Sequence, residues 1–282
     1  MRSFKLILML SIAVALPTAA CRAQTICPQQ VLAGQYPVLV NEKLATRTTL
    51  LCNASYTVLA SGITHGPLWS AEHPTRASLE EAGQTKRDGY FHADDRLPPG
   101  DQAQLDDFRR SGFDRGHMTP SGDMPGQAAQ QESFMLSNVV PQTAALNRGI
   151  WEGTEAAVRH LAEQEGVLFV VTGPAFHGET LETIGPNKVF VPSSTWKAVY
   201  DPVTGGAGVY VCKNIEQHPT CAQVTVATLI SVVGIDPFPS LSNTIKTARF
   251  ALPEPEASRY AHEREPSRRP RPEPSWLDRL LN

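Results

Sequence analysis

The chain has 282 residues, 41% of them apolar and 19% charged, which is enough to bury one substantial core and leaves one domain with appendages as the economical reading. Its formal charge of −3 excludes a generic polycation that would hold nucleic acid through net charge alone. Loss of residues 1–23 would take Arg2, Lys5 and Arg22 away and leave −6, so any polyanion has to be held locally.

The N-terminus reads Met1-Arg2-Ser3-Phe4-Lys5, then an apolar run from Leu6 to Leu16, then small residues at Ala19 and Ala20. This basic, apolar, small-residue order predicts a secretory signal peptide, and the run is too short for a convincing membrane span. The expectation is an exported protein, periplasmic or secreted, with no stable membrane insertion once the signal is gone. Cleavage after Ala20 would leave Cys21 at the new terminus, open to lipid attachment. Thr18 stands where a lipoprotein signal usually has Leu, so cleavage after Ala23 is preferred. That leaves Cys27, Cys52, Cys212 and Cys221, an even number for which an oxidising compartment predicts disulfides. Three pairings are possible and sequence does not choose among them; the nearest-neighbour set, Cys27 with Cys52 and Cys212 with Cys221, is favoured here.

Residues 24–66 hold short β-prone runs, YPVLVN and SYTVLAS, read as edge strands. From Ser70 to Gly112 the composition is polar and loop-like, with a break at Pro98-Pro99-Gly100 and with Arg87 inside it. SGFDRGHMTPSGDM follows and places His117 at a strand end or in the adjoining loop. SFMLSNVVP is a strand candidate that delivers Asn138 and ends at Pro141. A helix is predicted from about Ala144 to Glu165, with Gly166 as its C-cap. GVLFVVTGPAF reads as a buried strand, and NKVFVP, STWKAVYD, GVYVCKN and VTVATLISVV as further strands. Mixed strands with one prominent helix make an α+β domain over residues 24–252. Residues 253–282 form a separate tail: residues 253–275 contain six prolines, five arginines and five glutamates, a tract that cannot bury enough surface to fold alone. Its alternative use is as a docking peptide.

The helix carries Asn147, Trp151, Glu155 and Arg159 at four-residue steps, which stack on one face with a drift of only ~40° per step. An amide, an indole, a carboxylate and a guanidinium turned toward protein all need partners or a task. A neutral imidazole such as that of His117 can take a proton from water near neutral pH. The carbonyl oxygen of Asn147 suits a hard cation, and Mg²⁺ accepts very few protein ligands because it keeps most of its waters. The cysteines and histidines are too scattered for zinc spacing.

Together these segments resemble the DNA/RNA non-specific endonucleases of the ββα-metal (His-Me finger) type, the endonuclease-G-like, sugar-nonspecific nucleases. The resemblance runs through DRGH at 114–117, SNVVPQ at 137–142, NRGIWEGTE at 147–155, VVTGPAF, VFVPSSTWKAVYD and GIDPFPSL, covering roughly residues 85–243. It implies an α+β, ββα-metal fold with a mixed, mainly antiparallel sheet core and a catalytic helix, and it implies hydrolysis of DNA and RNA with little sequence preference. It makes His117 the general base, Asn147 the ligand of one hydrated Mg²⁺ (with Mn²⁺ as a substitute) and Glu155 a holder of water around that ion. Arg87 becomes the phosphate clamp, with Arg115 as the alternative. Asn138 and Gln142 fall on polar supporting positions, and Trp151 packs beneath the helix.

Asp114 is read as a turn-supporting residue, Arg159 as an ion-pair partner and Lys197 as a solvated strand lysine. A local basic groove around Arg87, Arg110, Arg115 and Arg148 would offset the acidic net charge. DNA and RNA are the expected partners, and a homodimer is compatible with the family. Two other readings stay open: a nucleic-acid-binding or uptake protein on the same fold without turnover, and a phosphodiesterase of small substrates.

Overall fold

The protein's computed structural model describes residues 27–256 apart from Glu179. The expected signal segment 1–23 and residues 257–282 of the expected tail lie outside the described residues. No helix among the described residues is long and apolar enough to cross a membrane.

Seven strands form the central sheet. In chain order they are β1 (Thr48–Cys52), β2 (Tyr56–Ser61) and β3 (Gly66–Glu72), then, after a separate hairpin of β4 (Asp114–His117) and β5 (Val139–Gln142), β6 (Phe169–Ala175), β7 (Ser194–Asp201), β8 (Gly206–Lys213) and β9 (Cys221–Val224). The spatial order is β9-β8-β7-β6-β3-β2-β1, and each ladder is antiparallel, as the sequence led us to expect of the core. The helices used below are α1 (Arg76–Gln84), α2 (Gly126–Ser133), α3 (Trp151–Glu165) and α4 (Val226–Val233).

One face of the sheet carries the largest core, in which Trp69, Trp196, Val209, Val226, Leu229 and Phe238 are buried together. Trp196 can lie flat there because Gly173, its partner across the ladder, has no Cβ to strike the indole. The opposite face, under α3, holds a smaller apolar cluster of Met118, Val140, Leu146, Trp151 and Cys212. Trp151 is 1% exposed, as expected of a side chain beneath the helix.

Several sequence expectations are corrected. YPVLVN yields only the two-residue strand Val38–Leu39, paired with Ile235–Asp236 outside the main sheet. The stretch from Ser70 to Gly112 is not all loop, since it contains the end of β3 and the whole of α1. That helix starts with a reciprocal cap in which Thr75 accepts from the Ser78 amide and Ser78 accepts from the Thr75 amide. VTVATLISVV is a strand only to Val224. Thr225 then caps the amide of Thr228, and α4 runs until Gly234 adopts φ 72°. Pro141 does not end its strand but sits inside β5 opposite Arg115, where the two-stranded ribbon does not ask its nitrogen to donate. Both favoured disulfides are present: Cys27–Cys52 ties the N-terminal segment to β1, and Cys212–Cys221 bridges β8 and β9.

Candidate active site

The site is a ββα unit: hairpin β4–β5 followed by a wide helical turn and α3. Gly116 lets the hairpin close, because the side chain of Gln142 fills the space a Cβ would need. Gln142 is fully buried and donates from Nε2 to Thr195 Oγ1 at 3.4 Å, so it braces the ribbon against β7. Asn138 does the same at the other end. Its Oδ1 accepts from the Thr119 amide at 3.0 Å, and its Nδ2 donates to the carbonyls of Thr119 and Ser133 at 2.9 and 3.0 Å. With 0% exposure and its polar atoms committed to backbone, Asn138 positions the segment that follows His117 and presents nothing to a substrate. It therefore does not sit where a catalytic side chain would.

The predicted continuous helix from Ala144 is also corrected. Leu146–Ile150 form a π-type turn in which Gly149 has φ −111° and ψ −111°, and regular α-helix begins at Trp151. Asn147 therefore stands off the α-helical face that Trp151, Glu155 and Arg159 share. The amide of Asn147 is oriented by Asp114, whose carboxylate accepts from Nδ2 at 3.0 Å. A carboxylate can only accept here, so Oδ1 of Asn147 is left as a half-buried, unengaged oxygen. Asp114 also takes two bonds from Arg148 at 2.7 Å each. These partners hold its carboxyl below the usual range despite the opposing effect of burial. Arg148, expected in a free basic groove, is thus tied to Asp114.

His117 ends β4 and is 9% exposed. Its ring lies 5.1 Å from that of Phe91 and 5.0 Å from that of Phe134, and its Nε2 has no hydrogen-bond partner. Burial first, and then the positive charge of Arg87, push the imidazole down to about 3, so it is neutral throughout the physiological range. Two guanidiniums flank the aromatic pair: Arg87 over Phe134 at 5.3 Å and Arg115 over Phe91 at 5.0 Å. Among the described residues neither makes a salt bridge, although the charge of Arg115 helps to lower the Asp114 carboxyl. Both candidate phosphate clamps therefore stand beside His117.

The loop bearing Arg87 is fastened by three glutamines of α2. Gln127 donates to Lys86 O at 2.9 Å and Gln130 accepts from the Asp88 amide at 2.8 Å. Gln131 accepts from the Tyr90 amide at 3.4 Å and donates to its carbonyl at 3.1 Å. Gly89 is needed at the point where this loop presses on Phe134.

A buried polar group that sequence reasoning missed lies under α3. Lys197 is 1% exposed, contrary to the solvated lysine expected. Its Nζ donates to Thr172 Oγ1 at 2.7 Å and Met118 O at 3.3 Å, and lies 5.4 Å from the Trp151 ring. Its charge opposes the effect of burial on Glu155, which is half-buried and pushed up to about 7. Glu72, 2% exposed, is raised well above the carboxylate range by burial and by Asp123. Arg159 pairs with Asp123 at 2.6 Å, as its reading as an ion-pair partner requires. No local signal marks Lys197 as buried, because the covering of its strand on both faces is a tertiary property.

Because His117 is held neutral, folding is expected to be acid-sensitive in a calculable direction. The unfolded imidazole takes up a proton below 6.5 and the folded one does not. Stability is thus fully present above that value and is lost as pH falls toward the folded pKa. The loss is about 1.4 kcal/mol per unit, hence about 2 kcal/mol between pH 6.5 and 5. Urea unfolding at pH 7.5 and 5 should show this extra loss in the unaltered chain and not in His117→Gln; equal losses would mean that the imidazole titrates freely.

Residues 39–244 match the family model described as DNA/RNA non-specific endonuclease. Bovine mitochondrial endonuclease G is 31% identical over 201 residues, 68% of this chain and 67% of that protein. Human mitochondrial nuclease EXOG is 30% identical over 219 residues, covering 71% of this chain and 59% of that protein. A chain from the crystal structure of the EndoG/EndoGI complex superimposes with a TM-score of 0.64 at 28% identity, covering 70% of this chain and 88% of that one. The chain spans about half to two thirds of the length of the curated relatives it matches. The names of these relatives overturn the periplasmic or secreted destination expected above. Fission yeast nuclease 1, bovine endonuclease G and zebrafish EXOG are all named mitochondrial, and the basic and apolar segment that suggested export lies outside the described residues.

Proposed function

The chain belongs to the DNA/RNA non-specific endonuclease family, and on that premise we propose that it is a hydrolase cutting phosphodiester bonds within DNA and RNA, with His117 as general base, Asn147 as metal ligand and 5′-phosphate products. The observation that carries this reading is a neutral imidazole whose Nε2 has no partner, beside two guanidiniums without salt bridges among the described residues; His117 stands on the strand whose first residue, Asp114, orients the Asn147 amide.

In this reading the phosphodiester is held between Arg87 and Arg115, whose charges offset that of the non-bridging oxygens. His117 accepts a proton from the water that attacks phosphorus, which its neutral state permits without prior deprotonation. A divalent cation fits the oxygen of Asn147, because Asp114 fixes that amide with Oδ1 unengaged. One protein oxygen suits a strongly hydrated ion, Mg²⁺ or Mn²⁺, better than zinc. When bound, such an ion supplies positive charge at the leaving 3′ oxygen. Glu155, near half-protonation at neutral pH, would accept hydrogen bonds from water around that site and could pass a proton to it. Asp114, Gln142, Asn138 and Lys197 hold these groups in place. Contacts made only to phosphate and metal carry no base information, hence the low sequence preference.

Plasmid DNA and a structured RNA incubated with the protein in Mg²⁺ or in EDTA test the proposal. Cleavage of both, abolished by EDTA, is expected. DNA retained in a gel shift with no product in any metal would instead favour the binding protein without turnover.

A further inference from the structure

Lys197 is buried, yet both hydrogen-bond partners of its ammonium, Thr172 Oγ1 and the Met118 carbonyl, are neutral. A buried charge is costly unless an opposite charge compensates it. Successive side chains of a strand alternate between faces, so Lys197 lies on the face of β7 opposite to Trp196. There it is in register with Thr172 of β6, which is in register with Ser70 of β3. This polar row is tied at two points to the segment that follows His117. Lys197 Nζ donates to the carbonyl of Met118 at 3.3 Å, and Ser70 Oγ lies 2.7 Å from Thr119 Oγ1. On its other side stands α3, whose Trp151 ring is 5.4 Å from Nζ. Glu155 follows one turn later on the same helical face. Burial raises the Glu155 carboxyl, and of the charges acting on it Lys197 opposes that rise most, ahead of Asp123, Arg159 and Glu152. On Glu72, burial and then Asp123 outweigh the lysine.

We infer that Lys197 is a positioning residue of the nuclease site that acts through Glu155: the row of Ser70, Thr172 and Lys197 fixes an ammonium beneath α3, and that ammonium keeps Glu155 an anionic acceptor of hydrogen bonds from water. The inference rests on the nuclease reading. Without the lysine, Glu155 faces Asp123 and Glu152 with Arg159 as its one remaining positive neighbour among these groups. Its carboxyl then holds a proton to higher pH, and a protonated carboxyl loses acceptor capacity. The damage is therefore greatest at neutral pH and recedes as the pH rises.

Lys197→Met keeps the apolar stem and removes the charge. In plasmid cleavage at saturating Mg²⁺ and pH 7, kcat should fall about 10- to 100-fold, the usual cost of removing a group that orients or tunes a site residue. KM should hold within a few-fold, since Arg87 and Arg115 rest on Phe134 and Phe91. The loss should shrink toward pH 9, nearly vanish on a Glu155→Gln background and persist on a Glu72→Gln background. A loss of one size at every pH, an equal loss with and without the Glu155 carboxyl, a loss abolished by Glu72→Gln, a raised KM with kcat kept, or no loss at all would each overturn the inference. A thermal melt shows whether Lys197→Met folds. Where it does not, Thr172→Val, which removes the 2.7 Å partner of Nζ and leaves the charge, runs the same cycle with an expected loss of about three- to tenfold. Failure of the nuclease reading would show separately, as absent metal-dependent cleavage by the unaltered chain.

Discussion

His117→Ala is expected to lower kcat about 10²- to 10⁴-fold, the range contributed by a positioned general base, while leaving KM for a long DNA within a few-fold. The separation follows from the geometry. Arg87 and Arg115 rest on Phe134 and Phe91, not on the imidazole, so phosphate contacts outlive the substitution. Removing the ring does open space between Phe91 and Phe134, so His117→Gln, which refills part of that space with a polar but far weaker base, serves as the control. Both variants should be equally inactive in single-turnover assays with saturating enzyme. Because the imidazole is held at about 3, the free protein should show no acid limb near 6.5 in kcat/KM attributable to this group. A His117→Ala variant retaining more than a tenth of the rate would remove His117 from the reaction.

Asn147→Ala is expected to cost about 10²- to 10³-fold, since a cation's stabilisation of developing charge amounts to several kcal/mol. The loss should depend on metal concentration, with the Mg²⁺ midpoint for activity moving upward and binding of DNA in EDTA unchanged. Asn147→Asp is the informative companion. It keeps an oxygen donor and adds charge for the metal, but it sets a carboxylate against Asp114, which now accepts from Nδ2 at 3.0 Å. Arg148 neutralises Asp114, so the aspartate variant should recover part of the rate and bind metal more tightly than the alanine. An unaltered metal midpoint in both variants would show that the cation is held elsewhere.

Much of the fold could be read from local pattern because it is locally determined. DRGH gives a strand ending at His117, Gly166 stops α3 with φ 92°, the buried strand β6 falls inside the apolar run GVLFVVTGPAF, and β7 and β8 fall on the β-prone segments STWKAVYD and GVYVCKN. VTVATLISVV has the β-branched propensity of a strand, yet Val226, Leu229, Ile230 and Val233 follow the i, i+3, i+4, i+7 rule of a helix, and in the fold the period prevails. The first strand of the long polar stretch was hidden for a different reason. β3 begins with Gly66-Pro67, and Pro67 is tolerated in a central strand because β6 pairs only with Ser70–Glu72. The π-type turn at Leu146–Ile150 could not be deduced, since four-residue spacing looks the same whether or not one turn is widened. Of the candidate site, His117, Asn147, Glu155 and both arginines are nominated by chemistry and resemblance. Lys197 and Glu72 were not, because burial on both faces of a strand is a tertiary property.

The three glutamines of α2 that fasten residues 86–90 carry no net charge. Hydrogen bonds between neutral amides and backbone are nearly indifferent to dissolved ions, whereas attraction between guanidinium and phosphate fades as counterions compete. Raising ionic strength should therefore strip nucleic acid from an undisturbed loop, so that a salt titration of affinity reports on the arginines alone.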